Sequence, residues 1–352
     1  GEAKGGVLLL HGLTDSQYSL RSIGLALAAR GYRVVGLRLP GHGIAPAGLL
    51  RFEVEDLEAA ARLAMLDLRA ALGESRPIHM IGYSNGAALA VSYALDARTD
   101  ATLPRPAGLV LISPAIGITR LAAIGRIRTG LSDLQGFGRA AWQLIEAEVD
   151  PYKYQSFSFN AAGATQRLTS GLSRRIAAIA SQGPVRDMPP ILAFVSTVDS
   201  TVQVPAVIDS LLGRLAPEGH ELVVFDVNRL SVVQPLLIAD PAPLTRRLLA
   251  QTQRPFALTL ITNASASTLQ VAQRLVELLP LRINVQPRKV ARAGDEHQHT
   301  QRRLHRERPD PSGKLQVAHH RRPFRQRQKA AGAPVVQVLP GQVGQLRGIG
   351  EP

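Results

Sequence analysis

Cysteine is absent from the 352 residues, which excludes disulfides and thiolate metal sites and is compatible with any redox compartment. Also missing is any run of about 18 uncharged apolar residues, the length that a membrane-spanning helix requires. No basic-then-apolar leader with a cleavage site opens the chain. A core-type strand already occupies residue 7, so the first strands of the fold and any export signal are expected upstream of Gly1, and the compartment stays unassigned. Aromatics are scarce, at 4%, yet four of them crowd into "DPYKYQSFSFN" as Tyr152, Tyr154, Phe157 and Phe159. With 45% hydrophobic side chains the chain can bury a full core and reads as a soluble globular protein.

Positive charge is in excess but unevenly spread. The formal net of +14 would suggest a polyanionic partner if it covered one face. Ala264 to the end carries 16 of the 41 basic and 6 of the 27 acidic residues, a net of +10, so the rest of the chain holds only +4. From about Leu281 the chain is rich in Arg, Gln, His and Pro, with Phe324 as its one aromatic and no periodicity. A solvated, disordered basic tail is expected there. Without interleaved aromatics or a recognisable module, no nucleic-acid partner is assigned. "HQH" and "HH" lack the third ligand of a defined metal site, so no metal and no cofactor are called for.

Before Ala264, short β-branched or leucine-rich runs alternate with longer helical ones, the signature of parallel strands joined by crossover helices. Strands are expected in "GVLLL", "YRVVGLRL", "PIHMIGY", "AGLVLI", "PPILAFVS", "HELVVF" and "PFALTLITN". Helices are expected over Ser19–Arg30, Phe52–Leu72, Gly86–Ala97 and near Pro205–Leu215, with Gly31 and Gly73 as stops. Residues 115–188 break the rhythm and are read as an inserted helical cap. The organisation is thus core over 1–114, cap over 115–188, core over 189–263 and an atypical basic tail over 264–352.

"IGYSNGAALA" sets Gly82-Tyr83-Ser84-Asn85-Gly86 between a buried strand and a helix. A serine lifted above a sheet needs a sharp, strained turn, and flanking glycines relieve its crowding. The following helix aims its free N–H groups at developing negative charge. Ser84 is the expected nucleophile, with the N–H of Asn85 as one oxyanion donor. The loop after "LLLHG" would supply the second donor through Leu13. A plain serine N-cap is the bland alternative. His11 and His42 are read as structural rings bonding loop backbone rather than as bases.

"LLLHGLTDS", "LPGHG", "GYSNGA" and "VSTVDSTV", in this order, resemble the α/β-hydrolase superfamily, in particular bacterial serine hydrolases related to monoacylglycerol lipases, esterases and the serine aminopeptidase group. The resemblance runs from about Gly6 to Asn263. It implies a mostly parallel sheet flanked by helices, with a cap, and carries the family's nucleophile onto Ser84, its donors onto Leu13 and Asn85, and its acid onto Asp199. Asp199 also meets the physical demand for a carboxylate after a strand, later in the chain than the nucleophile. Asp226, after "HELVVF", is its rival.

The base is the difficulty. His220 precedes its strand and belongs at the opposite edge of the sheet. The first histidine after the last strand is His297, in "GDEHQHT". Either an atypical C-terminal region supplies His297 after a short strand in "LRINVQP", or the tail is foreign to the fold, as a shifted reading frame would make it, and the triad is incomplete. The expected activity is cleavage of a small-molecule carboxylic ester, with the aromatic cap pointing to an apolar acyl group. A serine peptidase, which would need acidic groups such as Glu146 and Glu148 in the cap, and a non-catalytic relative are the alternatives. Nothing in the sequence fixes the oligomeric state.

Overall fold

The computed structural model describes residues 2–117, 138–199, 202–226, 242–251, 253–263 and 271–276. Eight strands form its main sheet: β1 (Gly6–Leu10), β2 (Arg33–Leu37), β3 (Ile78–Tyr83), β4 (Gly108–Ile112), β7 (Ile191–Ser196), β8 (His220–Phe225), β9 (Phe256–Asn263) and β10 (Val271–Val276). Their order across the sheet is β10-β9-β8-β7-β4-β3-β1-β2. The seven from β2 to β9 run parallel, and only β10 pairs antiparallel, with β9. Residues 271–276, inside the segment read as tail, therefore continue the sheet. The rest of residues 264–352, His297 and the strand expected in "LRINVQP" included, lies outside the described residues.

The central parallel strands are buried on both faces, as parallel sheets are. Alternation along β1 shows how: Leu8 and Leu10 join the main core, while Val7 and Leu9 join a smaller cluster with Leu20, Val34 and Ile81 on the other face. Helix α1 (Arg21–Ala28) packs near the smaller cluster, and its buried Gly24 lets Leu9 approach to 3.0 Å of where a Cβ would sit. Helix α2 (Val54–Leu72) presents Leu57, Ala61, Ala64, Met65, Leu68 and Leu72 to the main core at helical spacing. It opens on a capping box between Glu53 and Asp56 and stops at Gly73, whose φ of 74° costs glycine little. Helix α3 (Asn85–Ala97) is almost wholly buried.

Of the segment read as a cap, residues 118–137 lie outside the described residues, and the described remainder from 138 onward falls into two parts. A hairpin of β5 (Trp142–Leu144) and β6 (Phe157–Ser158) covers the loops. Helix α4 (Phe159–Ala180), by contrast, sinks Ala161, Ala164, Leu168, Leu172 and Ile176 into the main core. These apolar positions recur every three to four residues, which makes α4 a core layer rather than a lid. Asp96 at the end of α3 fixes it in place, pairing with Arg175 of α4 and, at 2.7 Å, with Arg62 of α2.

Because seven strands share a direction, their carboxyl ends share one edge. From β1 the chain crosses to β2 on one side, and from β3 it crosses to β4 on the other. The crevice between the ends of β1 and β3 is where such sheets open a binding site.

Asp96→Ala removes both ion pairs to half-exposed arginines and is expected to cost about 1 kcal/mol. Urea unfolding would register this, and an unchanged midpoint would mean that α4 is held by its apolar face alone.

Candidate active site

Two strand ends meet in that crevice. Leu10 is paired opposite Gly82, so the residues after β1 run beside those after β3. Ser84 follows β3 directly, half-buried, with φ 52° and ψ −113°. A side chain held in that region stores strain and persists only where the surroundings enforce it. Here they do. The Ser84 N–H donates to the Ile112 carbonyl at 2.9 Å, and its own carbonyl accepts from Ala87, Ala88 and Ala115. A Cβ on Gly82 would fall 2.4 Å from Ala87 Cα, and one on Gly86 would fall 2.2 Å from the Leu10 carbonyl oxygen. Both glycines are therefore required by backbone contact, which a simple N-capping serine would not demand.

Asn85 opens α3, so its N–H is among those left without an intrahelical acceptor. Its side chain is 1% exposed, and neither amide atom has a hydrogen-bond partner among the described residues. Leu13 lies in a turn closed by the Asp15 N–H on the Gly12 carbonyl at 3.2 Å. A Cβ on Gly12 would stand 3.1 Å from the Tyr83 ring, which seats this turn against the residue before Ser84.

The turn is tied from outside at three successive carbonyls. The His11 ring holds Gly12 O at 2.8 Å, the His42 ring holds Leu13 O at 2.6 Å, and the Tyr154 N–H donates to Thr14 O at 2.8 Å. The other His11 nitrogen accepts the Leu39 N–H at 3.1 Å, which fixes the tautomer: Nδ1 carries the proton. His11 is fully buried, and burial, reinforced by the facing His42, pushes its pKa down to about 3. Burial also holds His42 below the usual histidine range, against the pull of the Pro40 and Leu13 carbonyls. Both rings are loop struts, as the sequence implied.

The aromatic cluster clips the hairpin onto the same loops. Tyr152 stacks on Tyr18 with centroids 3.6 Å apart, Lys153 reaches Asp15 at 3.9 Å, and the Tyr154 hydroxyl accepts the Ile44 N–H at 2.9 Å. Burial raises the Asp15 pKa despite the opposing Lys153. These contacts, and the anchoring of Ser158 and Asn160 on the Leu49 carbonyl, were not legible as spacing. Glu148 is occupied as well. Though burial opposes it, the N–H groups of Gln155 and Ser156 hold its carboxyl below the usual range.

Asp199 follows β7 at the shared carboxyl edge, half-buried, and its carboxylate accepts the Val202 N–H at 2.9 Å. Asp226, directly after β8, is 6% exposed and lies 3.4 Å from the Thr197 hydroxyl. The structure thus sets both carboxylates on the edge that carries Ser84. His220 begins β8 at the opposite edge, with Nδ1 accepting the Ile191 N–H. His79, early in β3, is half-buried and edge-on to Tyr32. Among the described residues no imidazole hydrogen-bonds Ser84, and His297 lies outside them.

A family model described as the alpha/beta hydrolase fold matches residues 6–125. Among solved structures, one of the metagenome-derived lipolytic enzymes LipS and LipT is similar over 71% of this chain and 93% of its own, at 23% identity and a TM-score of 0.51, which shows a shared fold. The monoacylglycerol lipase of Paleococcus ferrophilus is 18% identical, over 64% of this chain and 86% of its own, with a TM-score of 0.48. A soluble variant of the Saccharomyces cerevisiae monoglyceride lipase is 16% identical, over 64% and 78%, at 0.47. No curated protein matches the chain.

Keeping His11 neutral has a pH signature. Its folded pKa lies below the ordinary histidine value of 6.5, so between pH 6.5 and about 3 the unfolded chain binds a proton that the folded chain refuses. The associated stability is complete above pH 6.5 and is lost as the pH falls. From pH 7 to pH 5 the loss from His11 alone is about 2 kcal/mol. Denaturant midpoints measured across that range should flatten in His11→Asn; an equal slope in both proteins would contradict the assignment.

Proposed function

We propose that this chain, whose residues 6–125 match a family model described as the alpha/beta hydrolase fold and whose fold is shared with a lipolytic enzyme, is a serine hydrolase cleaving carboxylic esters through an acyl-enzyme on Ser84. The observation that carries the reading is the strained Ser84 turn, with φ 52°, locked by two glycines that admit no Cβ. Ser84 Oγ attacks the acyl carbon while a histidine, His297 in this reading, takes the hydroxyl proton. The N–H groups of Leu13 and Asn85 receive the oxyanion, each donor being worth about 10²–10³ in rate. Collapse breaks the ester C–O bond, and the histidine returns its proton to the leaving alkoxide. Water, deprotonated by the same ring, then cleaves the acyl-enzyme, releasing a carboxylic acid and restoring Ser84. Asp199 steadies the imidazolium. An apolar acyl group fits the exposed Ile44 and Tyr152 beside the loops.

A second reading, a relative that keeps the turn but has no base, draws on the engagement of the described histidines elsewhere. The peptidase reading is weakened because Glu148, one of its two candidate receptors for a substrate amine, is tied into its own turn.

On a p-nitrophenyl ester panel, Ser84→Ala should lower turnover at least about 10⁴-fold. A fluorophosphonate probe should label the wild type at Ser84; a folded protein that stays unlabelled is the base-less relative. Aminoacyl-naphthylamide turnover above ester turnover would decide for the peptidase. Asp199→Asn should cost about 10³–10⁴ in kcat, and a larger loss in Asp226→Asn would reassign the acid.

A further inference from the structure

Leu13 is flanked by two peptide planes, and an imidazole holds each. The peptide group is planar and trans, so its C=O and N–H point in opposite directions. Fixing the Gly12 carbonyl through His11 therefore aims the Leu13 N–H, the donor assigned above to the oxyanion. That plane is soft on its own, because the bond closing the turn, Asp15 N–H to Gly12 O, is long at 3.2 Å. The second plane, Leu13 to Thr14, is fixed where His42 meets Leu13 O at 2.6 Å.

His42 reaches this position from a different loop, 29 residues away in sequence. Its own N–H donates to the Leu39 carbonyl at 3.1 Å, so the loop after β2 holds the residue at its root. The ring sets Nδ1 2.7 Å from the Pro40 carbonyl and Nε2 2.6 Å from the Leu13 carbonyl, and because a neutral imidazole carries one proton, the clamp uses the tautomer with that proton on Nε2. Three neighbours wedge the ring: His11 edge-on at 5.0 Å, Phe52 at 5.4 Å and Tyr154 at 6.5 Å between centroids. It is 2% exposed. A ring so enclosed, with Nε2 on the residue that carries the donor, sets where that residue sits.

We propose that His42 is a positioning residue for oxyanion stabilisation: by clamping the Leu13 carbonyl it fixes the backbone on the far side of the donor, so that the loop after β2 completes a hole formed by the loops after β1 and β3. The proposal rests on the serine hydrolase reading for its catalytic consequence, but the clamp itself does not.

The test compares His42→Phe, which keeps a ring in the packing and removes the donor, with His42→Gln, whose side-chain amide reaches toward the Leu13 carbonyl. In the full chain, His42→Phe should lower kcat on p-nitrophenyl esters about 10- to 100-fold with KM changed less than about 2-fold, because the hydrogen bond is needed in the transition state and not for substrate binding. His42→Gln should recover most of that loss. Amide hydrogen exchange at residues 12–15 should quicken in His42→Phe and not in His42→Gln, at matched thermal midpoints. Equal kcat in His42→Phe and wild type, or a loss that falls equally on KM, overturns the positioning role. Unchanged exchange overturns the clamp while leaving Ser84 chemistry standing. A wild type inert to ester and fluorophosphonate overturns the hydrolase reading and with it the catalytic role of His42, whereas the exchange data still decide the clamp.

Discussion

The structure turns on one close approach, that of the first turn of α3 to the end of β1. Gly86 brings helix backbone against the Leu10 and His11 carbonyls, where a single added carbon would sit 2.2 Å and 2.5 Å from their oxygens. Gly82 allows the matching closeness between β3 and the same helix. These contacts hold Ser84 in its positive-φ conformation at the end of β3. The crevice exists because the chain reverses its direction of travel across the sheet between β1 and β3. Topology sets the place, and two missing side chains set the geometry.

Much of this could be read from the letters. Parallel strands buried on both faces leave continuous apolar runs, and helices leave three-to-four spacing, so "GVLLL", "PIHMIGY" and Phe52–Leu72 were legible with their glycine stops. The serine turn was legible because only glycine solves its crowding. The break in rhythm over 115–188 marks an insertion, but it does not separate the part that packs into the core, α4 with its three-to-four spacing, from the hairpin that meets the loops. Ties that join distant segments left no periodic trace. The His42 clamp on Leu13, the Lys153 approach to Asp15 and the Tyr154 bond to Ile44 depend on which loops meet, and sequence distance does not encode that. The choice between Asp199 and Asp226 stayed open for a similar reason, since both follow strands that end on one edge.

Polar groups around the site follow a common logic. His11 and His42 are rings taken out of water and given carbonyl partners, and Asp15 is a carboxyl taken out of water and given a lysine. Burial opposes the charged form in each case. A buried polar group costs free energy unless its hydrogen bonds are made, so each commits its loop to one arrangement. Asn85 departs from this: among the described residues neither atom of its buried amide has a partner, and it stands beside Ser84 with its positive φ.

Three consecutive residues, Tyr152, Lys153 and Tyr154, grip the loop that carries Leu13. In many enzymes the part that chooses the substrate can be exchanged while the part that performs the reaction is left alone, and new preferences arise by trading one covering for another. On the serine hydrolase reading proposed above, the two would share fasteners here. On that reading, a descendant that remodels its hairpin to admit a bulkier molecule also loosens the loop beside Ser84, so gains in breadth would come with losses in speed until compensating changes reseat the loop. Divergence along this lineage should therefore proceed by paired substitutions across hairpin and loop.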